Sequence, residues 1–246
     1  MDKTVRILLA FGDGDSHGIR DVARELDLPK STVSRLVLDL AEAHLLLQEP
    51  ATGQYRLGAG VARLGQSYLE GLDVRSVAAP MMTDLQQRSG ETVGLHVREG
   101  VERIVIAAAE SRQQIRSGFT VGERLPMYTG AAGKVLLAYE PAEVRQDVLA
   151  QLDLVPLTEH TIVEPQALEA ELELTRTRGY ALSENEVSLQ SASVAAPIFG
   201  GDDRICAAFV VTGPVFRMAS LLQDLIEPTR SAADEVSSRL GSAMRS

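Results

Sequence analysis

The chain has no tryptophan, only five phenylalanines and five tyrosines among 246 residues, and a single cysteine. So few aromatics disfavour a reader of single-stranded nucleic acid, which stacks bases on aromatic rings. One cysteine, Cys206, excludes an intrachain disulfide. The histidines, at 17, 44, 96 and 160, are scattered and show no HxxxH spacing, and CxxC is absent. These five residues therefore read as solvated or structural rather than as metal ligands. Long apolar runs are also missing. The longest, 104–109 and 205–211, fall far short of the about 20 residues of a membrane-spanning helix. The apolar stretch 7–11 is too short for a secretory signal and runs into Gly-Asp-Gly-Asp, with no small-residue cleavage site. These absences lead to the expectation of a soluble, cytoplasmic chain without metal or cofactor.

Positive charge is scarce too. Lys and Arg number 24 against 34 Asp and Glu, a formal net charge of −10. Taken alone, that argues against a nucleic-acid partner, because phosphate binding needs local positive charge. With 45% hydrophobic and 24% charged residues, the usage is that of an ordinary globular protein. The length allows one large domain or two modest ones.

What is present begins with short amphipathic helices. A first helix is expected over about 2–11, closed by Gly12-Asp13-Gly14-Asp15, with Ser16 available to cap the next. The second, 19–26, carries Ile19, Val22, Ala23 and Leu26 at helical spacing. After Asp27-Leu28-Pro29, a third over 30–43 carries Val33, Leu36, Val37 and Leu40. Two such helices joined by a tight turn are a helix-turn-helix signal. Leu45–47 and 54–57 around Pro50-Ala51-Thr52-Gly53 complete it with a hairpin, or wing. A winged helix-turn-helix is thus expected within 1–58 and a linker helix within 59–73, with Val61, Leu64, Tyr68 and Leu72 on one side. Asp73 is placed to cap a long helix over 74–89, stopped by Gly90.

Beyond Glu91 the period changes. Strands are expected at 92–97, 103–109, 115–120, 180–183, 194–199 and 205–212. Helices are expected at 129–139, 141–152, 165–178 and 218–240. This gives an α+β second domain, 74–246, around a mostly antiparallel sheet.

With Val33, Leu36, Val37 and Leu40 inward, the third helix turns Ser31, Arg35, Leu38 and Glu42 outward. Thr32 and Ser34 flank them, and Lys30 lies in the first turn. Hydroxyls and a helix N-terminus suit phosphate, and Arg35 has the fork that matches a guanine edge. Leu38 is unusual on a solvent face and fits a thymine methyl or a partner. Arg56 on the wing reaches toward an adjacent phosphate. Residues 1–60 hold seven basic and nine acidic side chains, so positive charge must be gathered on one face. Modest affinity per head, raised by pairing two heads on a palindrome, is the expectation.

In the second domain, Thr129-Gly130-Ala131-Ala132-Gly133-Lys134 opens a helix. Its small side chains admit a ligand to the backbone, where free amides favour an anion. The same small residues also suit close helix–sheet packing. A Walker A reading fails, since Tyr128 and Val135 stand where Gly and Ser/Thr are needed. Catalytic residues are not expected: no GxSxG occurs, and no Cys–His or Ser–Lys motif stands in a recognisable context. Glu184 and Glu186 read as solvated loop carboxylates rather than a paired acid site.

Seven short motifs add a resemblance. Leu28-Pro29-Lys30-Ser31-Thr32-Val33-Ser34-Arg35-Leu36, Tyr55-Arg56-Leu57-Gly58 and Ser89-Gly90-Glu91-Thr92-Val93 are followed by Leu125-Pro126-Met127 with Gly133-Lys134. Then come Arg178-Gly179-Tyr180, Ala195-Ala196-Pro197-Ile198-Phe199 and Thr212-Gly213-Pro214. Each is weak alone. In this order, across nearly the whole chain, they resemble the IclR family of transcriptional regulators. The resemblance implies a winged helix, a linker helix and a GAF-like domain that binds a small organic effector, in dimers or tetramers on operator DNA. The outward face of the third helix and the wing give Lys30, Ser31, Thr32, Ser34, Arg35 and Arg56 for DNA, and the resemblance adds the effector side. For the effector it points to Phe119, Leu125, Ala131, Ala132, Ser183 or Glu184, Ser193, Val210 and Thr212. Gln190, Ser193 and Val210 depart from the Gly, Cys and hydroxyl residue that relatives often carry there. Val210 removes a polar group able to hold a small oxo-acid, so a larger or more apolar acid is expected, aromatic or related to an amino acid. An effector-binding scaffold or anti-repressor without DNA binding, or an enzyme acting on a small organic acid, are the alternatives.

Overall fold

The computed structural model describes residues 2–12, 15–70 and 73–244. They form two compact units, Met1–Leu72 and Asp73–Ser246. The first unit holds α1 (Lys3–Leu9), α2 (Ile19–Glu25), α3 (Lys30–Glu42), the hairpin β1 (Leu46–Gln48) and β2 (Tyr55–Leu57), and α4 (Ala59–Glu70). The two helical stripes meet as expected. Ile7, Phe11, Val22, Val33, Leu36, Val37 and Leu40 form one core with Leu46 and Tyr55 of the hairpin. The α2–α3 turn is sharp because Asp27 adopts a left-handed conformation, φ 52°. The Leu28 amide then donates back to Ala23 at 3.0 Å. Pro29 stands one residue before α3, its carbonyl accepting from Thr32 and Val33 at 2.9 and 3.1 Å.

Ser16 does not cap α2. Gly18 holds that position and offers no side chain, because the segment before it is drawn into pairing with the wing. His17 and Tyr55 exchange both backbone hydrogen bonds, at 2.8 and 2.9 Å. On the linker helix Leu64 is exposed and Val61 half-buried. The close approach there is made by glycine instead. A Cβ on Gly58 or Gly60 would lie 2.4 or 2.7 Å from the His44 carbonyl oxygen, to which the Gly60 amide donates at 2.8 Å. Asp13, Gly14, Leu72 and the side chains of Tyr68 and Asp73, which entered the expectations above, lie outside the described residues. Asp73, expected as a cap, is the first residue of the next helix.

The second unit runs α5 (Asp73–Ser89), β3 (Thr92–Glu99), β4 (Glu102–Ala109), β5 (Arg124–Pro126), α6 (Gly130–Tyr139) and α7 (Ala142–Gln151). It continues with α8 (Pro165–Arg178), β6 (Ala181–Glu184), β7 (Ser191–Phe199), β8 (Ile205–Pro214) and α9 (Val215–Arg239). The strands form one sheet in the order β5-β4-β3-β8-β7-β6, every pair antiparallel. Side chains alternate between its faces. Ala195, Ala208 and Val210 join the apolar residues of α6 and α8 in one core. Helices α5 and α9 pack on the sheet and on each other. With cover on both faces, β8 is buried along most of its length, which explains its unbroken apolar run.

The strand expected at 115–120 is absent; the third antiparallel partner on that side is β5. Carbonyls in 115–117 are taken by side chains rather than by a ladder. Arg217 donates to the Ile115 carbonyl at 2.8 Å and Thr92 to that of Ser117 at 2.7 Å. Ile115 is left exposed. β5 was not expected; the other helices and strands stand within a few residues of their expected limits.

Candidate functional site

In the first unit, α3 presents Lys30, Ser31 and Arg35 exposed, with Thr32 and Ser34 half-buried beside them. Leu38 is 55% exposed, on the same outward face. Arg35 lies 3.8 Å from Asp39 one turn on, both side chains open to water, so this pairing costs little to break. Arg56, in the middle of β2, lies 3.4 Å from Glu49 across the hairpin. Thr52 at the wing tip also donates to Glu49, at 3.2 Å. Lys30, Ser31 and Arg35 are thus open to solvent with Thr32 and Ser34 on the flanks, and Arg56 sits on the wing that His17 ties down.

In the second unit, a cavity of about 500 Å³ opens beside the start of α6. Phe119, Leu125, Ala131, Ala132, Ser183, Ser193, Val210 and Thr212 all line it. Glu184 does not. It is the next residue after Ser183 on β6, so strand alternation turns it away from the cavity, and it is exposed.

Glu186 was expected to be solvated, but it is buried. Its carboxylate accepts from the Gly130 amide at 3.1 Å and from Lys134 Nζ at 2.6 Å. Lys134 is itself buried, with Glu171 at 3.5 Å as a second partner. The first amide of α6 is therefore already occupied by one of the chain's own carboxylates. This fastens the loop carrying Val187 and Ser188 to the start of α6.

Arg103 and His96, which also line the cavity, were not among the expected site residues. Arg103 is buried, and its guanidinium donates to the Pro126 carbonyl and, at 3.4 Å, to Thr129 Oγ1. Burial pushes its pKa down to about 10, against the opposing pull of Glu123 and Glu186. His96 is buried with its ring edge-on to Phe119, centroids 4.6 Å apart. Burial first, and then the Arg103 charge, hold its pKa well below 6.5. The available signal was alternation: Thr92, Gly94 and His96 fall at every second position of one strand.

The family model described as the bacterial transcriptional regulator IclR C-terminal matches residues 66–238, and the IclR helix-turn-helix domain matches residues 1–50. The chain belongs to the IclR family. It is 32% identical to the transcriptional repressor AllR of Klebsiella pneumoniae over 93% of this chain and 84% of that protein. It is 30% identical to the regulator KipR of Bacillus subtilis over 97% and 96%. Among solved structures, an IclR homologue of Microbacterium hydrocarbonoxydans complexed with 4-hydroxybenzoate superposes with a TM-score of 0.84. Identity there is 28%, covering 96% of this chain and 97% of that one. The relatives are transcriptional regulators rather than enzymes. The fold expected from the sequence, a winged helix-turn-helix followed by an α/β domain with an antiparallel sheet, is the fold of this IclR-family chain. Among the described residues no helix is long and apolar enough to cross a membrane.

Proposed function

We propose that this transcriptional regulator reads double-stranded operator DNA with Lys30, Ser31, Thr32, Ser34 and Arg35 of α3, and with Arg56 of the wing. A small organic acid in the cavity of the second unit modulates that binding. The carrying observation is the composition of α3's open face. Its first two turns show hydroxyls, Lys30 and a water-exposed Arg35, donors suited to phosphates and base edges. Segments 1–58, 59–73 and 74–246 serve as head, linker and effector domain, in a cytoplasmic homodimer or homotetramer. The effector acts by binding two arrangements of paired heads unequally and so shifting their populations.

Arg35→Ala should weaken specific operator binding by about 1–3 kcal/mol, measured by fluorescence anisotropy on promoter fragments at two salt concentrations. Absence of any salt-sensitive DNA binding by the intact protein would overturn the DNA reading and favour a scaffold.

A further inference from the structure

Between β4 and β5 the chain runs along the cavity, which Arg116, Ser117, Gly118, Phe119 and Glu123 line from this side. Both ends of this segment are fixed to the sheet. At the near end the Ser111 hydroxyl donates to the Gly90 carbonyl at 2.5 Å, and the Ser111 amide donates to Thr92 Oγ1 at 3.1 Å. At the far end Val105 donates to the Glu123 carbonyl at 3.0 Å and accepts from the Gly122 amide at 2.8 Å. The Glu123 carboxylate closes the turn there, accepting from the Thr120 amide at 3.0 Å. Arg116 pairs with Glu110, at 3.6 Å, beside the near end. In the middle the segment is held by two carbonyls. Thr92 donates to that of Ser117, and Arg217 to that of Ile115. The first tie comes from the sheet and the second from α9.

Arg217 is the third residue of α9. Its Nε donates to Glu91 at 2.5 Å and its Nη2 at 3.0 Å, and the same Nη2 donates to Ile115. Glu91 is 1% exposed, and its carboxylate lies where only glycine leaves room: a Cβ on Gly213 would stand 2.6 Å from Oε2. A cation in the first turn opposes the helix dipole, so the stability of α9 does not call for arginine there. What the position offers is reach, one planar fork spanning a fixed carboxylate and a carbonyl of the crossing segment. α9 packs on α5, which follows α4 in the chain. At the cavity the corresponding point is Phe119, four residues on from Ile115 and in no strand or helix. Two of its ring carbons lie 2.7 and 2.8 Å from the place a Cβ on Gly94 would take. Any group entering that space displaces the ring.

We propose that residues 111–119 form a strap that senses filling of the cavity at Phe119 and reports it to α9 through Arg217. With Phe119 seated over Gly94, Arg217 holds Glu91 and Ile115 together. Displacing the ring draws the Ile115 carbonyl off the guanidinium, which keeps Glu91. The first turn of α9 then loses its link to the strap, and α9 is free to shift on α5. The two strap positions differ by a hydrogen bond to a charged group, so whatever displaces Phe119 biases them unequally. Arg217 touches no ligand in this scheme and acts as a positioning residue. The proposal rests on the reading that cavity occupancy modulates DNA binding, and it names the device that carries the signal. It asks of the ligand only bulk at Phe119.

Gly94→Ala tests this without a ligand, because its methyl takes the place of the Phe119 ring. In the full-length protein it is expected to raise amide hydrogen exchange about 10-fold in 111–119, to raise exchange in 219–226 of α9, and to change affinity for promoter fragments about 10-fold. Phe119→Ala, which empties the same seat and crowds nothing, should act in the same direction on both segments. Arg217→Lys keeps a cation beside Glu91 but gives up the fork that also reaches Ile115. In that background Gly94→Ala should still loosen 111–119, while α9 exchange and DNA affinity no longer respond. A full effect of Gly94→Ala on α9 and on DNA in the Arg217→Lys protein overturns the proposal. So does unchanged exchange in 111–119 in both the Gly94→Ala and Phe119→Ala proteins. If strap and α9 respond as expected but no form of the protein binds DNA in a salt-sensitive way, the DNA reading fails and the coupling of strap to α9 stands.

Discussion

At His96, stability and acidity are coupled. The unfolded imidazole titrates near 6.5, whereas burial and the Arg103 charge hold the folded one well below. As pH falls below about 6.5 the unfolded chain takes up a proton that the folded one refuses, so this residue lowers stability toward acid. Urea denaturation at about pH 7.5 and pH 5 should show a smaller acid loss for His96→Leu than for the wild type; equal losses would contradict the assignment. Gly58 and Gly65 make a second contrast at this scale. A Cβ at Gly58 meets the His44 carbonyl, while one at Gly65 meets nothing within 4 Å. Gly58→Ala should cost about 1–3 kcal/mol by overpacking. Gly65→Ala, inside α4, should add about 0.5–1 kcal/mol, read from the same denaturation curves. The sequence marked Gly58 only as a boundary, because the carbonyl it passes comes from another turn.

Among the elements, α6 shows how periodicity and packing divide the information. Its start at Gly130 was legible from the small residues, but what occupies that start was not. Glu186 lies 56 residues along from Gly130, in a loop that reads as solvent-exposed until the chain folds back. Glu186→Gln strands the buried Lys134 ammonium, with only Glu171 remaining at 3.5 Å. A loss of about 3 kcal/mol is expected, with faster amide exchange in the 185–190 loop. Lys134→Met in the same chain should restore much of it, and additive losses would argue against the pairing. The 115–120 segment failed in the opposite sense: strand-like in composition, it has its carbonyls claimed by Arg217 and Thr92. A strand needs a neighbour, and β5 took that edge of the sheet.

For the whole molecule, the net charge of −10 sets a background that the proposed DNA-reading face of α3 must overcome, so operator binding is expected to be salt-sensitive and to depend on pairing two heads. Ala132 lines the cavity proposed to hold the effector and is 3% exposed. Ala132→Phe should abolish the response to effector while operator affinity changes less than about twofold, measured by anisotropy with and without ligand. A lowered melting temperature instead would show that the small residue serves packing. By itself the sequence determined the helices, the strands other than the one at β5, the buried stripes of α2 and α3 and the outward face of α3. All of these depend on spacing within a single element, which the side-chain period of a helix or strand dictates. Only the tertiary structure decided that Glu184 turns away while Glu186 goes inside, and that Arg103 and His96 share the cavity. Those facts depend on strand register and on which distant segment covers which, and desolvation then gives the buried groups their character.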